Sequence, residues 1–230
     1  MKEQIRGFFI ISMTIFILAG CAHDQTGQRS AREIFDEAAE LAKKEKVEQA
    51  AEKFMEVRTY YPGDVLAKEA VLATADLYYN AEQYESALQS YEEYRLLYPT
   101  DEKAAYCMFR IGLCHFNQIS DNSIDEGKAI DRDQSKTVRA IQTFDNFLAS
   151  YPNAPEDYRN SAKDNLLEAK TILAKHYIYI GKFYLKKKNF KAACGRFEYV
   201  KKQYPGLSLE DDIDDLISKS CTKDTSEPQK

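Results

Sequence analysis

Little in this sequence would interrupt a helix. There are nine glycines and six prolines in 230 residues, against an abundance of Ala, Glu, Lys, Leu and Tyr, so turn formers are scarce and helix is favoured. Histidine is equally sparse. His23 precedes the first helical pattern, His115 takes an aromatic packing position, and His176 falls within a long helical stretch. No phosphate loop, nucleophile elbow or paired metal motif accompanies them, which excludes a convergent catalytic set and leaves no cofactor to expect. Cys114 and His115 are no better as a metal site, because neighbours on a helix point about 100° apart. An excess of positive charge is also missing: Lys and Arg number 32 against 37 Asp and Glu, for a formal charge of −5. Nucleic acid is thereby excluded as the partner of the body of the chain.

Only one long apolar run is present, Gly7 to Leu18, and it follows the basic Lys2 and Arg6. Twelve helical residues rise about 18 Å against a hydrocarbon layer of about 30 Å, too short for a comfortable span. The run reads as a secretory signal covering residues 1–20. Leu18, Ala19, Gly20 and Cys21 resemble the bacterial lipobox. That resemblance implies cleavage before Cys21, covalent lipid on its thiol, and a membrane attachment made durable by several acyl chains. Ala22, in place of an acidic residue, implies delivery to the outer membrane.

Four further cysteines remain: Cys107, Cys114, Cys194 and Cys221. Export makes disulfides possible, and four cysteines allow three full pairings. Cys107 and Cys114 lie seven apart on a helix, about 10 Å between Cα atoms, which excludes their bond and leaves two pairings. The competing reading treats Cys107, Cys114 and Cys194 as small apolar packing residues, since they fall among Ala, Phe and Leu.

Internal repetition is the strongest signal. Tyr-Pro recurs at Tyr61-Pro62, Tyr98-Pro99, Tyr151-Pro152 and Tyr204-Pro205. Twelve residues before each proline stands Ala50, Ala87, Ala140 or Ala193; eight before, Phe54, Tyr91, Phe144 or Phe197; five before, Val57, Tyr94, Phe147 or Val200. These offsets share one face of a helix, and the proline ends it. A preceding helix carries a small residue twelve before each alanine in three copies (Ala38, Ala75, Gly181), with Leu41, Tyr78 or Tyr184 three residues later. In the third copy Gly112 and His115 take those places, and a polar insertion near 118–134 separates them from the second helix. The stretch Asp157 to Lys187 reads as one unusually long helix.

This pattern resembles the tetratricopeptide repeat and predicts an all-α superhelix of antiparallel helix pairs, an α-solenoid. Residues 21–29 form a tether and 30–217 hold about four repeats. Ser30 with Glu33 makes a capping box at the start, Leu209 to Ile217 forms a capping helix at the end, and 218–230 is a polar tail.

Taken together, the lipobox, two regular repeats, an insertion ending in Asp131-Arg132-Asp133, a long helix and the segment "YIYIGKFYLKKKNFKAACGRFEYVKKQYP" resemble the BamD/ComL family. The resemblance covers roughly Ala31 to Pro205. It implies an outer-membrane lipoprotein on the periplasmic face that belongs to the β-barrel assembly machinery. Its implied partners are the barrel-assembly core subunit, accessory lipoproteins and unfolded outer-membrane proteins. The same fold would also serve another envelope lipoprotein acting as a scaffold or pilotin. One departure from the family is that only about one helix follows Pro205, where a fifth repeat is usual.

First helices of such a stack line its concave surface. The register puts Phe35, Leu72, Asp76, Tyr79, Tyr106, Phe109, Leu113 and Phe116 on or near that groove, as a surface for partner or substrate segments. Arg196, Lys201 and Lys202, beside Lys186-Lys187-Lys188, form the one basic concentration and suit docking at the C-terminal end.

Overall fold

The computed structural model describes residues 29–119, 133–207, 209 and 212–224. Cys21, the tether up to residue 28, insertion residues 120–132 and the tail from 225 lie outside the described residues. Every regular element described is an α-helix. In chain order they are α1 (Ala31–Lys43), α2 (Val47–Tyr60), α3 (Val65–Asn80), α4 (Tyr84–Leu97), α5 (Ala104–Asn117), α6 (Ser135–Ser150), α7 (Glu156–Lys186), α8 (Phe190–Gln203) and α9 (Ile213–Asp224). Each helix packs on its chain neighbours, and α1 on α3 and α5 on α7 add contact between first helices of successive pairs. The result is the tetratricopeptide-type solenoid that the spacing predicts.

The repeated side chains explain the stack. Ala50, Ala87, Ala140 and Ala193 are fully buried, and none of the ring or valine positions after them exceeds 3% exposure. Small residues on the first helices make room for those rings. A Cβ added to Gly112 would lie 2.5 Å from the Phe144 ring, and one added to Gly181 would lie 2.4 Å from Phe197. At those two crossings glycine is required by contact distance rather than by backbone freedom. Ala38 and Ala75 hold the same place in the first two pairs and are wholly buried.

Turns between paired helices repeat as well. Glu45, Glu82 and Lys188 each adopt a left-handed backbone, φ 56–59°. The next residue's N–H reaches back to Leu41, Tyr78 or Tyr184 in turn. These six-residue closures satisfy carbonyls at the helix end with an ordinary side chain where glycine is commoner. Ser30 caps α1 as expected: its hydroxyl accepts from the Glu33 N–H, while the Glu33 carboxylate accepts from the Ser30 N–H at 2.8 Å. The long helix spans about 46 Å at 1.5 Å per residue. Ala162, Leu166 and Ala169 in its first half join the core of α5 and α6, and Ala174 and Ile178 join that of α8.

Two expectations are corrected at the C-terminal end. The capping helix does not run from Leu209 to Ile217, and the polar tail does not begin at 218. Asp212 Oδ1 accepts the N–H groups of Asp214 and Asp215 at 3.0 and 3.1 Å, so α9 starts after Asp212 and continues to Asp224. Cys221 lies on this helix and is bonded to Cys194 of α8, with Cα atoms 5.0 Å apart. Cys194 is thus not simply a packing residue. Neither remaining full pairing forms either, because that elimination assumed all four cysteines to be paired. Cys107 and Cys114 are buried free thiols, and burial pushes both up to about 12.

Candidate binding groove

Asp76 on α3 is the hub of a side-chain cluster that joins α3, α4 and α5. Its Oδ1 accepts from the Tyr91 hydroxyl of α4 at 2.5 Å and from the Tyr106 hydroxyl of α5 at 2.7 Å. Arg110, one turn beyond Tyr106, donates from Nε to the Tyr106 hydroxyl at 2.8 Å. Its Nη2 comes to 4.0 Å from Asp76, and its Cζ sits 3.9 Å from the Tyr79 ring centroid. Tyr79 in turn accepts from Asn117 Nδ2 at 3.1 Å and meets the Tyr84 ring edge-on at 5.5 Å. A carboxylate and a guanidinium are therefore held between tyrosine rings, each at the end of a satisfied network.

Burial and the Asp76 charge disfavour tyrosinate here. The Tyr106 phenol is pushed up to about 12, first by burial and then by its hydrogen bond to Asp76, and Tyr91 rises further for the same reasons. Both stay protonated donors across the physiological range. The Arg110 side chain is 20% exposed and that of Asp76 34%, so the pair still faces solvent. Such a site offers aromatic faces, a positive fork and a negative rim. It offers nothing nucleophilic.

Of the eight groove residues named from the register, the structure brings together Asp76, Tyr79 and Tyr106. Leu72, Leu113 and Phe116 are half-buried along the same helices, in the neighbouring apolar clusters. Phe35 stands apart in the first pair, edge-on to Phe54 with centroids 5.1 Å apart. Phe109 is a correction. At 6% exposure it packs between Phe147 and a stacked Tyr158, because the long helix α7 covers that side of α5. Sequence reasoning missed Arg110, Asn117 and Tyr158. Arg110 had a signal: it is the only strongly basic residue in the otherwise apolar run "AAYCMFRIGLCHFN".

The basic C-terminal residues are not equivalent. Arg196 and Lys202 are exposed, with Arg196 Cζ 5.7 Å from the Tyr177 ring, whereas Lys201 Nζ is paired with Asp214 of α9 at 2.6 Å. Beside them an open depression of about 270 Å³ lies under the α8–α9 connection, between Tyr204, Leu207 and Ile213. Among the described residues, Cys194, Glu198 and Cys221 come within ligand distance of one another, but the two sulfurs are bonded together.

Fold and side chains define a class: a helical-repeat protein with a ring-walled, charged cluster across α3, α4 and α5. Residues 27–216 match the family model of YfiO, an outer membrane lipoprotein, and the chain belongs to that family. Proteins named outer membrane protein assembly factor BamD are similar to it. The one from Rickettsia prowazekii is 32% identical over 171 residues, covering 74% of this chain and 64% of that protein. The one from Pasteurella multocida is 25% identical over 207 residues, covering 88% and 78%. The one from Caulobacter vibrioides is 29% identical over 152 residues, covering 66% and 47%. The chain thus spans less than two thirds of the Rickettsia and Caulobacter proteins. A solved tetratricopeptide repeat protein from Parabacteroides merdae aligns over 86% of this chain and 87% of its own, at 11% identity and a TM-score of 0.34. The fold assignment rests on the chain's own helix packing.

Proposed function

We propose that this protein is an outer-membrane protein assembly factor: an adaptor on the periplasmic face, held to the membrane through lipid on Cys21, that acts by binding and not by catalysis. The family match across residues 27–216 carries this reading, and the name shared by its relatives gives the task. In the finer version, the face around Asp76, Tyr79, Tyr106 and Arg110 takes extended segments of unfolded β-barrel proteins. An aromatic side chain of such a segment lies against the tyrosine rings, and each Å² of apolar surface covered contributes about 25 cal/mol before ordering costs. Arg196 and Lys202 then face the barrel-assembly core subunit, alongside its accessory lipoproteins.

Crosslinking in intact cells followed by affinity capture of this chain tests the assignment. Recovery of the barrel-assembly core subunit is expected, with less recovered from a doubly substituted Arg196→Glu, Lys202→Glu chain. Capture of other envelope proteins without that subunit contradicts it.

A further inference from the structure

Four of the eight exposed large apolar side chains among the described residues lie along one edge of the first two helix pairs. Tyr60, Val65, Leu96 and Leu97 are 62%, 62%, 80% and 51% exposed. Single exposed apolar residues are ordinary, so their grouping is what matters. Arg58 is paired with Glu93, which ties the C-terminal parts of α2, where Tyr60 lies, and α4, where Leu96 and Leu97 lie. Lys68 Nζ reaches Asp101 at 2.7 Å, fastening the start of α3, where Val65 lies, to the loop after α4.

The same edge holds the point where the chain comes in. The Tyr61 hydroxyl donates to the Arg29 carbonyl, placing the start of α1 beside the end of α2. From Arg29 back to Cys21 are eight residues, which reach about 29 Å at most. In the first pair Thr59 and Tyr60 hold the places of Leu96 and Leu97, and beyond the second pair the apolar character fades. Positions matching Leu96 and Leu97 are Ala149 and Ser150 in the third pair, then Lys202 and Gln203 in the fourth. The opposite edge is charged instead, with Lys43, Lys44, Glu45 and Lys46 at one turn and Lys186, Lys187 and Lys188 at another, all exposed.

We propose that the edge carrying Tyr60, Val65, Leu96 and Leu97 rests on the phospholipid leaflet, at the boundary of headgroups and acyl chains. The inference rests on the lipid anchor at Cys21. Tyrosine suits the interface, where its ring and hydroxyl meet different surroundings, and the leucines and Val65 reach the acyl boundary beneath it. A tether this short makes the contact intramolecular, so a weak apolar edge suffices to orient the solenoid on the membrane.

The chain contains no tryptophan, so Leu97→Trp and Tyr60→Trp each supply a sole indole reporter. The chain from Cys21 onward, which keeps every described helix, is coupled through that thiol to a maleimide phospholipid. Cys194 and Cys221 are bonded and Cys107 and Cys114 are buried, leaving Cys21 as the reactive thiol. On phosphatidylethanolamine–phosphatidylglycerol vesicles, both reporters are expected to shift to the blue and to lose emission when the acyl chains are brominated. Lys44→Trp on the opposite edge and Gln203→Trp on the fourth pair are expected to do neither. Equal emission from L97W on brominated and plain vesicles overturns the proposal. So does a blue shift of uncoupled L97W on concentration without vesicles, which means contact between copies. Because the coupling supplies the anchor chemically, these failures are distinct from failure of lipidation, which is read separately as loss of membrane association in Cys21→Ser.

Discussion

His115 shows what one side chain can do in a repeat position built for something else. It stands where other copies have Leu41, Tyr78 and Tyr184, is 4% exposed, and its Nδ1 has no hydrogen-bond partner. Burial, helped by Lys136 and Arg139, lowers its pKa from 6.5 to about 4. The unfolded chain therefore takes up a proton at a pH where the folded chain resists it. Stability from this residue is complete above pH 6.5 and falls as pH drops towards 4, by up to about 3 kcal/mol. Urea unfolding at pH 7 and pH 4.5 should differ less in His115→Leu than in the natural chain; an unchanged difference would place the sensitivity elsewhere. At this scale the sequence was partly legible. The recurring positions were readable because each copy repeats them, and Asp76, Tyr79 and Tyr106 followed from that register. Arg110 occurs in one copy only, and its role depends on a ring from another helix, which spacing cannot show. Phe109 failed for the opposite reason: its register was right, but the long α7 covers it.

At the scale of elements, close approach of helices decides stability. Gly181 faces the Phe197 ring at a distance that admits no Cβ unless that fully buried ring shifts. Gly181→Ala should cost about 1–3 kcal/mol by overpacking, seen as a lower melting temperature, although alanine is the better helix former. A rise would mean the α7–α8 crossing is looser than described. The Cys194–Cys221 bond spans a separation of 27 residues and fastens α9 to α8. By its restriction of the unfolded chain, Cys221→Ser should lower stability by about 3–4 kcal/mol. Hydrogen exchange would then show α9 losing protection before α1 to α4; uniform loss would make the bond part of a single cooperative unit. Helix extents were legible where proline or a capping box marks them, as at Tyr61-Pro62 or Ser30. The last helix was displaced because Asp212 caps it, and in a run of acidic residues composition does not single out which one will act as cap.

Across the whole molecule, one repeated hairpin supplies both architecture and surface. Alanine or glycine on first helices and rings on second helices lock the two helices of each pair together, which leaves α3 and α5 free to carry Asp76, Tyr79, Tyr106 and Arg110. Number and order of the pairs could be read from four Tyr-Pro marks. The way α7 serves two cores could not, because a long uninterrupted helix looks the same in sequence whichever neighbours it meets. The central claim is that this face of the stack, and not its reverse, receives unfolded barrel segments. Photocrosslinking in living cells tests it most directly, from Tyr79 on the groove and from the exposed Glu92 on α4. Adducts with nascent outer-membrane proteins from position 79 and not from position 92 are predicted; the reverse pattern, or none from 79 while 92 reacts, would contradict the account.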